Sequence, residues 1–275
     1  MKLGICNEMF TDWSLPEIFA FVAQTGYQGI EIAPFTLADS VKEITSGQRK
    51  QIRTLAKQYH LGVIGTHWLL VKPEGLSLTA PDSSIRGKTS QYLQDLVVFT
   101  EEIGGEIMVL GSPRQRSRQP QQTEEEVTRY LSECLSPAME EARHRGVVIC
   151  LEPLSRQETN FINTAEQAIE FIRKLGHPSL ALILDVKAMS DEDKPIPDIV
   201  RAAKQYLRHF HLNDTNLLGP GWGQVDFQPI IGALREINYQ HWASVEVFDF
   251  SPGAENIARH SYQYLSQVLS AGEKN

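Results

Sequence analysis

Residues 147–154 read VVICLEPL, and residues 180–186 read LALILDV. Nearly every residue in both stretches is apolar, a composition typical of strands that are buried on both faces of a parallel sheet. Short apolar, β-branched runs of this kind recur along the whole chain. The eight predicted strands are Leu3–Cys6, Gly29–Ala33, Gly62–Thr66, Ile107–Gly111, Val147–Pro153, Leu180–Val186, Leu207–Leu212 and Ala243–Phe248.

Segments with helical spacing separate these strands. Three of them begin with a capping box, in which a Ser or Thr is followed three residues later by Glu or Gln: Ser14 with Glu17, Thr123 with Glu126, and Thr164 with Gln167. The predicted helices are one that starts after Ser14, followed by Thr45–Tyr59, Ile85–Thr100, Val127–Arg145, Ala165–Leu175, Pro197–Tyr206, Phe227–Glu236 and Ala254–Leu269.

A strand followed by a helix, repeated eight times in 275 residues, predicts an α/β fold with one (β/α)8 TIM barrel. We expect a single domain over residues 1–275, because no interdomain linker interrupts the pattern. The alternative is a doubly wound open sheet. That fold usually carries a glycine-rich phosphate loop after an early strand. Here the first strand leads into CNEMFTDW instead, which favours the barrel.

The amino-acid composition disfavours nucleic acid and membranes as binding partners. The net charge of −8 disfavours nucleic acid, because phosphate backbones attract basic surfaces. The densest basic stretch contains Arg114, Arg116 and Arg118, and we interpret the region 114–123 as a solvated loop or mobile flap. No apolar run is long enough to cross a membrane. The first residues lack the features of a secretory signal, and the three cysteines form no CxxC pair. We therefore expect a protein of the cytoplasm with no membrane partner.

The ends of the last four predicted strands carry the residues with most chemical interest. A barrel enzyme has its active site at the C-terminal ends of its strands. There the runs ICLEPL, LILDV, HFHLND and SVEVF place Glu152, Asp185, His211 and Glu246. A single glutamate at such a place is commonly salt-bridged, but four ligand-type residues in succession favour a metal. Three carboxylates and an imidazole suit one divalent ion, with Mn²⁺ favoured and Mg²⁺, Co²⁺ or Zn²⁺ as alternatives.

At these residues the sequence resembles the xylose isomerase-like TIM-barrel superfamily, which contains ketose 3-epimerases, inosose dehydratase, hydroxypyruvate isomerase and endonuclease IV. The resemblance covers essentially the whole chain. It is strongest at LEPLSRQETNFINT, LILDV, HFHLNDTN with GPGWGQVDF, and INYQHWASVEVF. Within the superfamily the chain is most similar to sugar isomerases and epimerases of the D-tagatose 3-epimerase type. The resemblance implies that Glu152, Asp185, His211 and Glu246 hold the metal.

The same resemblance suggests that Glu158 binds the hydroxyl end of a ketose, although a solvated loop carboxylate is an equal alternative. Two positions depart from the epimerase pattern. Ala188 stands where a histidine is usual, and Leu217 stands where an arginine is usual. Both usual residues help to hold the polar end of a free ketose. Lys187 could replace that charge, or strand alternation could point it away.

Three further residues are candidates for substrate binding. His67 ends the third predicted strand and could contact substrate or metal, or be a structural histidine beside Trp68. Trp13 and Trp222 lie on predicted loops and could form an apolar wall for a sugar. Ordinary packing is the alternative for both tryptophans.

These residues predict a metal-dependent sugar isomerase or epimerase. It would act on a ketose or related polyol by proton abstraction next to a metal-bound carbonyl, with Glu152 and Glu246 as the acid–base groups. The alternatives are an inosose-dehydratase-like lyase, an endonuclease IV-like DNA repair hydrolase and a non-catalytic sugar-binding barrel. The acidic chain and a fourth strand that ends in Gly111 disfavour DNA repair. The expected partner is a small sugar or polyol, and a homo-oligomer remains open.

Overall fold

In the computed structural model, which describes residues 1–271, eight parallel strands pair in chain order and close into a barrel. The strands are β1 Lys2–Cys6, β2 Gly29–Ile32, β3 Gly62–Thr66, β4 Ile107–Leu110, β5 Val148–Leu151, β6 Leu180–Asp185, β7 Leu207–Leu212 and β8 Trp242–Val245. The seam pairs Ile5 of β1 with Val245 of β8. The predicted α/β class and the (β/α)8 barrel are confirmed.

Helices cover the outside of the barrel. They are α1 Leu15–Thr25, α2 Ser46–Gln58, α3 Ser83–Glu102, α4 Pro113–Arg116, α5 Glu124–Arg145, α6 Ala165–Leu175, α7 Val186–Met189, α8 Ile196–Ala202, α9 Phe227–Glu236 and α10 Ala254–Ala271. The predicted capping boxes at Thr123 and Thr164 form in both directions, and at Ser14 the Glu17 carboxylate accepts the backbone N–H. The short helices α4 and α7 were not predicted, and each directly follows a strand end.

The interpretation of residues 114–123 as a solvated loop is wrong for Arg116. This side chain is 0% exposed, because α4 turns it under the ends of β4 and β5. Its guanidinium donates hydrogen bonds to the carbonyl oxygens of Glu152 at 2.5 Å and Ile162 at 3.3 Å. The Glu152 carbonyl lies just beyond β5 and takes its hydrogen bond from this long cationic side chain, whereas the Ile162 carbonyl also accepts the backbone N–H of Leu154 at 3.3 Å.

The barrel interior is divided into an apolar and a polar part. Ile107 and Val109 belong to a small buried cluster, whereas Met108 and Leu110 between them belong to the large core shared with the helices. Alternate residues of a strand face opposite sides, so the small cluster fills the inside of the barrel. His209 and His211 alternate in the same way with Phe210. The inside of the barrel is therefore polar where β7 reaches its C-terminal end.

Close approach of β3 and β4 requires glycine at position 65. A Cβ added to Gly65 would overlap the backbone carbonyl of Ile107, whereas a Cβ on Gly87 in α3 would meet no atom within 4 Å. We expect Gly65→Ala to lower the free energy of unfolding by about 3 kcal/mol or more, because backbone must move. Gly87→Ala should raise it by about 0.5–1 kcal/mol, because alanine favours helix. Urea denaturation of both variants measures the free energy of unfolding. Equally small changes in the two variants would contradict the close packing of β3 against β4.

Candidate active site

The structure brings the four strand-end residues of the sequence prediction together. Glu152, Asp185, His211 and Glu246 are all buried, and one ligand atom from each lies within 4.8 Å of all the others. They come from consecutive elements because β5, β6, β7 and β8 are neighbours in the closed sheet. Parallel strands end at the same rim, so their terminal side chains converge on one point.

The facing atoms of this cluster are those that a cation would use. Nδ1 of His211 and Oε2 of Glu246 lie 3.0 Å apart, yet both are buried without a hydrogen bond. The two atoms are close but are not oriented for a hydrogen bond. Buried polar atoms without partners are costly in folded proteins. Three carboxylates and an imidazole nitrogen facing one space fit a divalent metal ion.

Burial and mutual repulsion shift the carboxyl groups of this cluster. Burial, followed by the charges of Glu246 and Asp185, raises the pKa of Glu152 well above its usual range. Burial also raises the pKa of Asp185, to about 6. Burial alone would raise the pKa of Glu246, but His211 and other nearby cations outweigh it and lower that pKa. Two carboxyl groups at one point thus differ in proton affinity, as acid–base pairs do.

A fifth carboxylate, Glu31 of β2, orients the histidine of the cluster. Its Oε2 lies 3.0 Å from Nε2 of His211, and its Oε1 contacts Nε2 of His209. Burial alone would raise the pKa of Glu31, but the two imidazoles hold it well below the usual range. Burial would lower the pKa of His211, yet Glu246 and Glu31 raise it well above normal. Glu31 therefore occupies Nε2 and leaves Nδ1 of His211 facing the cluster, as partners of metal-binding histidines do.

Asp185 is held by the start of α7. Its Oδ1 accepts the backbone N–H of Ala188 at 2.8 Å, and its Oδ2 accepts a short hydrogen bond from the Asn213 amide. The Oδ1 of Asn213 in turn accepts the backbone N–H of Lys187 at 2.8 Å. The backbone N–H of residue 188 therefore fixes the Asp185 carboxylate, and the small side chain of Ala188 is buried.

An aromatic stack holds Glu246 on the other side. Nε1 of Trp68 donates a hydrogen bond of 2.7 Å to Oε1 of Glu246. The Trp68 ring stacks on Phe35 at 5.7 Å and on Phe248 at 5.8 Å between centroids.

The carboxylate of Glu152 needs space beside the end of β4. A Cβ at Gly111 would collide with this carboxylate. Glycine therefore follows β4 at position 111, because the neighbouring glutamate occupies the volume of a side chain.

A cavity of about 400 Å³, here called the inner cavity, opens above these residues. It is lined by Trp68, Ser112, Glu152, Glu158, Glu246 and Phe248, among others. A larger cavity of about 690 Å³ lies on the outer surface at α6 and α8, away from the strand ends. We place the functional site at the inner cavity, because Glu152 and Glu246 of the four-residue cluster line it.

The structure brings two of the predicted substrate-binding residues to the inner cavity region. Glu158 lines it, and Nζ of Lys187 donates a hydrogen bond of 2.7 Å to Oε1 of Glu158. Lys187 thus points toward the site rather than away. Leu217 is 44% exposed and lines an adjoining cavity that also includes Glu158.

The three remaining candidates lie elsewhere. His67 is fully buried beneath the site, with Nε2 at 2.7 Å from a carboxylate oxygen of Glu8. Trp13 packs on Phe10 and Phe21, and Trp222 packs on His260. None of the three lines the inner cavity.

Several contributing residues had no role in the sequence analysis. Glu31, His209, Asn213 and Trp68 each contact a member of the cluster or its partner. A signal was present for two of them. Glu31 is a charged residue inside the otherwise apolar run GIEIA, and His209 precedes His211 by two residues on the same face of β7.

The fold and the site define a (β/α)8 barrel with an acidic, histidine-containing cluster at its C-terminal rim. The sequence pattern of the family described as "Xylose isomerase-like TIM barrel" matches residues 19–268. The chain belongs to this family, as its sequence suggested.

Relatives of known activity support the assignment. The chain is 30% identical over 266 residues to a D-psicose 3-epimerase of Enterocloster bolteae, covering 92% of this chain and 84% of that protein. It is 25% identical to an L-ribulose 3-epimerase of Mesorhizobium japonicum, covering 88% and 80%. The crystal structure of a D-psicose 3-epimerase from Clostridium cellulolyticum with D-tagatose superposes with a TM-score of 0.85 at 22% identity, covering 98% and 99%. The predicted enzyme class, an isomerase of the epimerase type, is confirmed.

Among residues 1–271, no helix combines the length and apolar character that a membrane span requires.

Arg116 offers a test of how the rim is held. Arg116→Met leaves the carbonyl oxygen of Glu152 without its buried donor and removes one of the hydrogen bonds to Ile162, a loss only partly offset by removing a buried charge. We expect the free energy of unfolding to fall by about 2–4 kcal/mol. Arg114→Met in the same short helix is the matched control, because Arg114 is exposed, and should change it by less than about 0.5 kcal/mol. Equal effects in urea denaturation would contradict this account.

Proposed function

We propose that the protein is a divalent-metal-dependent epimerase or isomerase of a ketose or related polyol, built as one domain over residues 1–275 and located in the cytoplasm. One observation carries the proposal: buried ligand atoms of Glu152, Asp185, His211 and Glu246 converge within 4.8 Å beneath the inner cavity. The similarity to D-psicose and L-ribulose 3-epimerases supports a ketose as the class of substrate. The oxygen-rich ligand set favours Mn²⁺.

The reaction requires removal of a proton from a carbon beside a carbonyl. A divalent ion bound by the cluster would supply the positive charge that stabilises the negative oxygen formed when this proton leaves. The inner cavity is large enough for a sugar, and the aromatic rings of Trp68 and Phe248 form part of its wall. These rings limit the access of water to the reacting carbon.

Glu246 and Glu152 are the groups that move the proton. His211 and the neighbouring cations keep Glu246 ionised, so its carboxylate can accept a proton. Glu152 lies on the other side of the cluster and would return the proton on the opposite face. Epimerisation needs these two groups on opposite sides of the reacting carbon, and strands β5 and β8 flank the cluster from two sides. Asp185 and His211 position the ion.

Three other functions share parts of this site. A lyase of the inosose dehydratase type would also remove a proton beside a carbonyl, but the similarity to D-psicose and L-ribulose 3-epimerases favours epimerisation. DNA repair is disfavoured by the net charge of −8. A non-catalytic sugar-binding barrel has no need of two opposed carboxylates beside a metal ion.

Metal content tests the first part of the proposal. We expect one divalent ion per chain in protein purified without chelator, as measured by elemental analysis. His211→Ala should lose most of it, because an imidazole ligand is removed. Equal metal content in the parent and this variant would contradict the proposed site.

A partner variant tests the role of Glu31. We expect Glu31→Gln to weaken metal binding by about 10–100-fold, because the amide no longer accepts charge-assisted hydrogen bonds from the imidazole of His211. Glu106→Gln is the matched control, since Glu106 is an exposed glutamate that pairs with Arg208 outside the site. Metal titration that finds the same affinity in both variants would exclude an orienting role for Glu31.

Glutamine substitutions separate proton transfer from metal binding. Glu246→Gln and Glu152→Gln keep the shape and one oxygen ligand but lose the proton-accepting carboxylate. We expect each to lower kcat by about 10²–10⁴-fold, with a smaller loss of metal affinity. In deuterated water, a variant that lacks only the reprotonating group should still incorporate solvent deuterium into the substrate, but it should form no product. If both metal-loaded variants turn over within about threefold of the parent, the two-carboxylate mechanism is wrong.

A further inference from the structure

A second cavity of about 310 Å³ adjoins the inner cavity and shares Glu158 and Phe248 with it. We call it the outer cavity; its own walls include Gln157, Lys187, Ser190, Thr215 and Leu217. Building on the proposed function, we propose that the outer cavity is a subsite for a neutral glycosyl substituent. The substrate is then a glycosyl-substituted ketose, with its carbonyl end in the inner cavity and its second ring in the outer one.

An ion pair forms the partition between the two cavities. Nζ of Lys187 lies 2.7 Å from Oε1 of Glu158 and 4.3 Å from the ring centroid of Phe248. The other carboxylate oxygen of Glu158 accepts the Ser155 hydroxyl at 2.7 Å. An ammonium group has three donors, and only one is used for Glu158. The remaining donors can hydrogen-bond the oxygen that links the two rings of the substrate.

The outer cavity has the chemistry of a sugar subsite. Ser190 and Thr215 offer hydroxyl groups, and Gln157 offers an amide, all of which can hydrogen-bond sugar hydroxyls. Leu217 and the edge of Phe248 supply the apolar surface on which the C–H groups of a sugar ring pack. This mixture of apolar walls and a few polar groups is typical of small-molecule sites.

The backbone holds Leu217 at this position in spite of strain. Its φ of 71° is in the left-handed region, which leucine rarely adopts. The Leu217 carbonyl accepts the backbone N–H groups of Phe248 at 2.8 Å and Asp249 at 3.0 Å. Together these bonds place an exposed leucine beside Phe248. Strained residues held by their surroundings are concentrated at functional sites.

The charges around the outer cavity compensate each other, which disfavours an anionic substituent. Lys187 is paired with Glu158, and Asp191 lies 3.5 Å from the Arg156 guanidinium and accepts the Arg156 backbone N–H at 2.7 Å. A phosphate beside Lys187 would also lie beside the Glu158 carboxylate, which repels it. Arg114 lines the inner cavity and not the outer one. A neutral polyhydroxyl group needs no such exchange of charge.

The test compares ketoses that differ only at the end expected to face Glu158. The Mn²⁺-loaded protein is given D-fructose, 1-O-α-D-glucopyranosyl-D-fructose, D-fructose 1-phosphate and 1-amino-1-deoxy-D-fructose. Epimerisation at C3 is followed by NMR, and binding is measured by calorimetry. We expect the glucosyl compound to bind about tenfold more tightly than D-fructose, as two or three extra hydrogen bonds allow. Tightest binding of the phosphate or the amine would overturn the proposal of a neutral substituent.

Two variants locate the second ring. Gln157→Trp fills the outer cavity, and we expect it to lower the ratio of affinities for the glucosyl compound and D-fructose by at least about tenfold. Gln51→Trp is the matched control, because Gln51 is an exposed glutamine on α2 that lines neither cavity. Thr215→Val removes one hydroxyl at constant shape and should lower the same ratio about threefold to tenfold. An unchanged ratio in Gln157→Trp would overturn the subsite.

Binding and turnover separate this inference from the proposed function. Tight binding of the glucosyl compound, with no epimerisation of any ketose, would support the subsite and contradict the epimerase activity. Epimerisation of D-fructose, with no preference for the glucosyl compound in binding, would support the epimerase activity and contradict the subsite. A preference that is equal in the parent and in Gln157→Trp would show that the second ring lies elsewhere.

Discussion

The structure depends on the burial of like charges at the C-terminal rim of the barrel. Glu152, Asp185 and Glu246 lie around one point, and removing their charges from water is costly unless cations compensate them. Within the protein, compensation comes from His211, whose raised pKa reflects two adjacent carboxylates. A bound divalent ion would take over this role from the imidazole proton, because a histidine binds metal in its neutral form. Glu31 contacts the same imidazole from below, so the electrostatics of the rim extend into the barrel.

The surrounding elements can be understood as supports for this cluster. Gly111 leaves volume for the Glu152 carboxylate, and Arg116 holds the backbone of Glu152 from beneath. Trp68 fixes one oxygen of Glu246, and the turn into α7 fixes one oxygen of Asp185. Each ligand is thus oriented by a contact from a different element. Preorganisation of this kind keeps reacting groups in place without rearrangement during the reaction.

The loss of the usual polar side chains at positions 188 and 217 changes the mouth of the site rather than its centre. Asp185 takes its hydrogen bond from the backbone of Ala188, so the cluster of acidic residues and His211 does not depend on the side chain at position 188. Lys187 and Glu158 instead form an ion pair between two cavities. In the proposed mechanism the chemistry at the reacting carbon therefore stays constant, while recognition of the rest of the substrate is open to change.

The barrel and the four members of the cluster could be predicted from the sequence alone. Buried parallel strands are continuous apolar runs, so a single Glu, Asp or His at the end of each run stands out, as in LILDV and SVEVF. The rim is shared by all strands, so convergence follows from topology. Local hydrogen bonds likewise made the capping boxes predictable, because their partners lie three residues apart.

The tertiary structure alone decided what each side chain contacts across the barrel. Arg116 looks like part of a solvated basic loop in the sequence, and its burial is explained by the carbonyl oxygen of Glu152, just beyond β5, which accepts its hydrogen bond. Glu31 and His211 are 180 residues apart, and Trp68 and Glu246 are 178 apart. Trp13 and His67 were both candidates for substrate binding from the sequence, and neither lines the inner cavity. Such contacts depend on distances between elements, which the periodicity of a sequence does not encode.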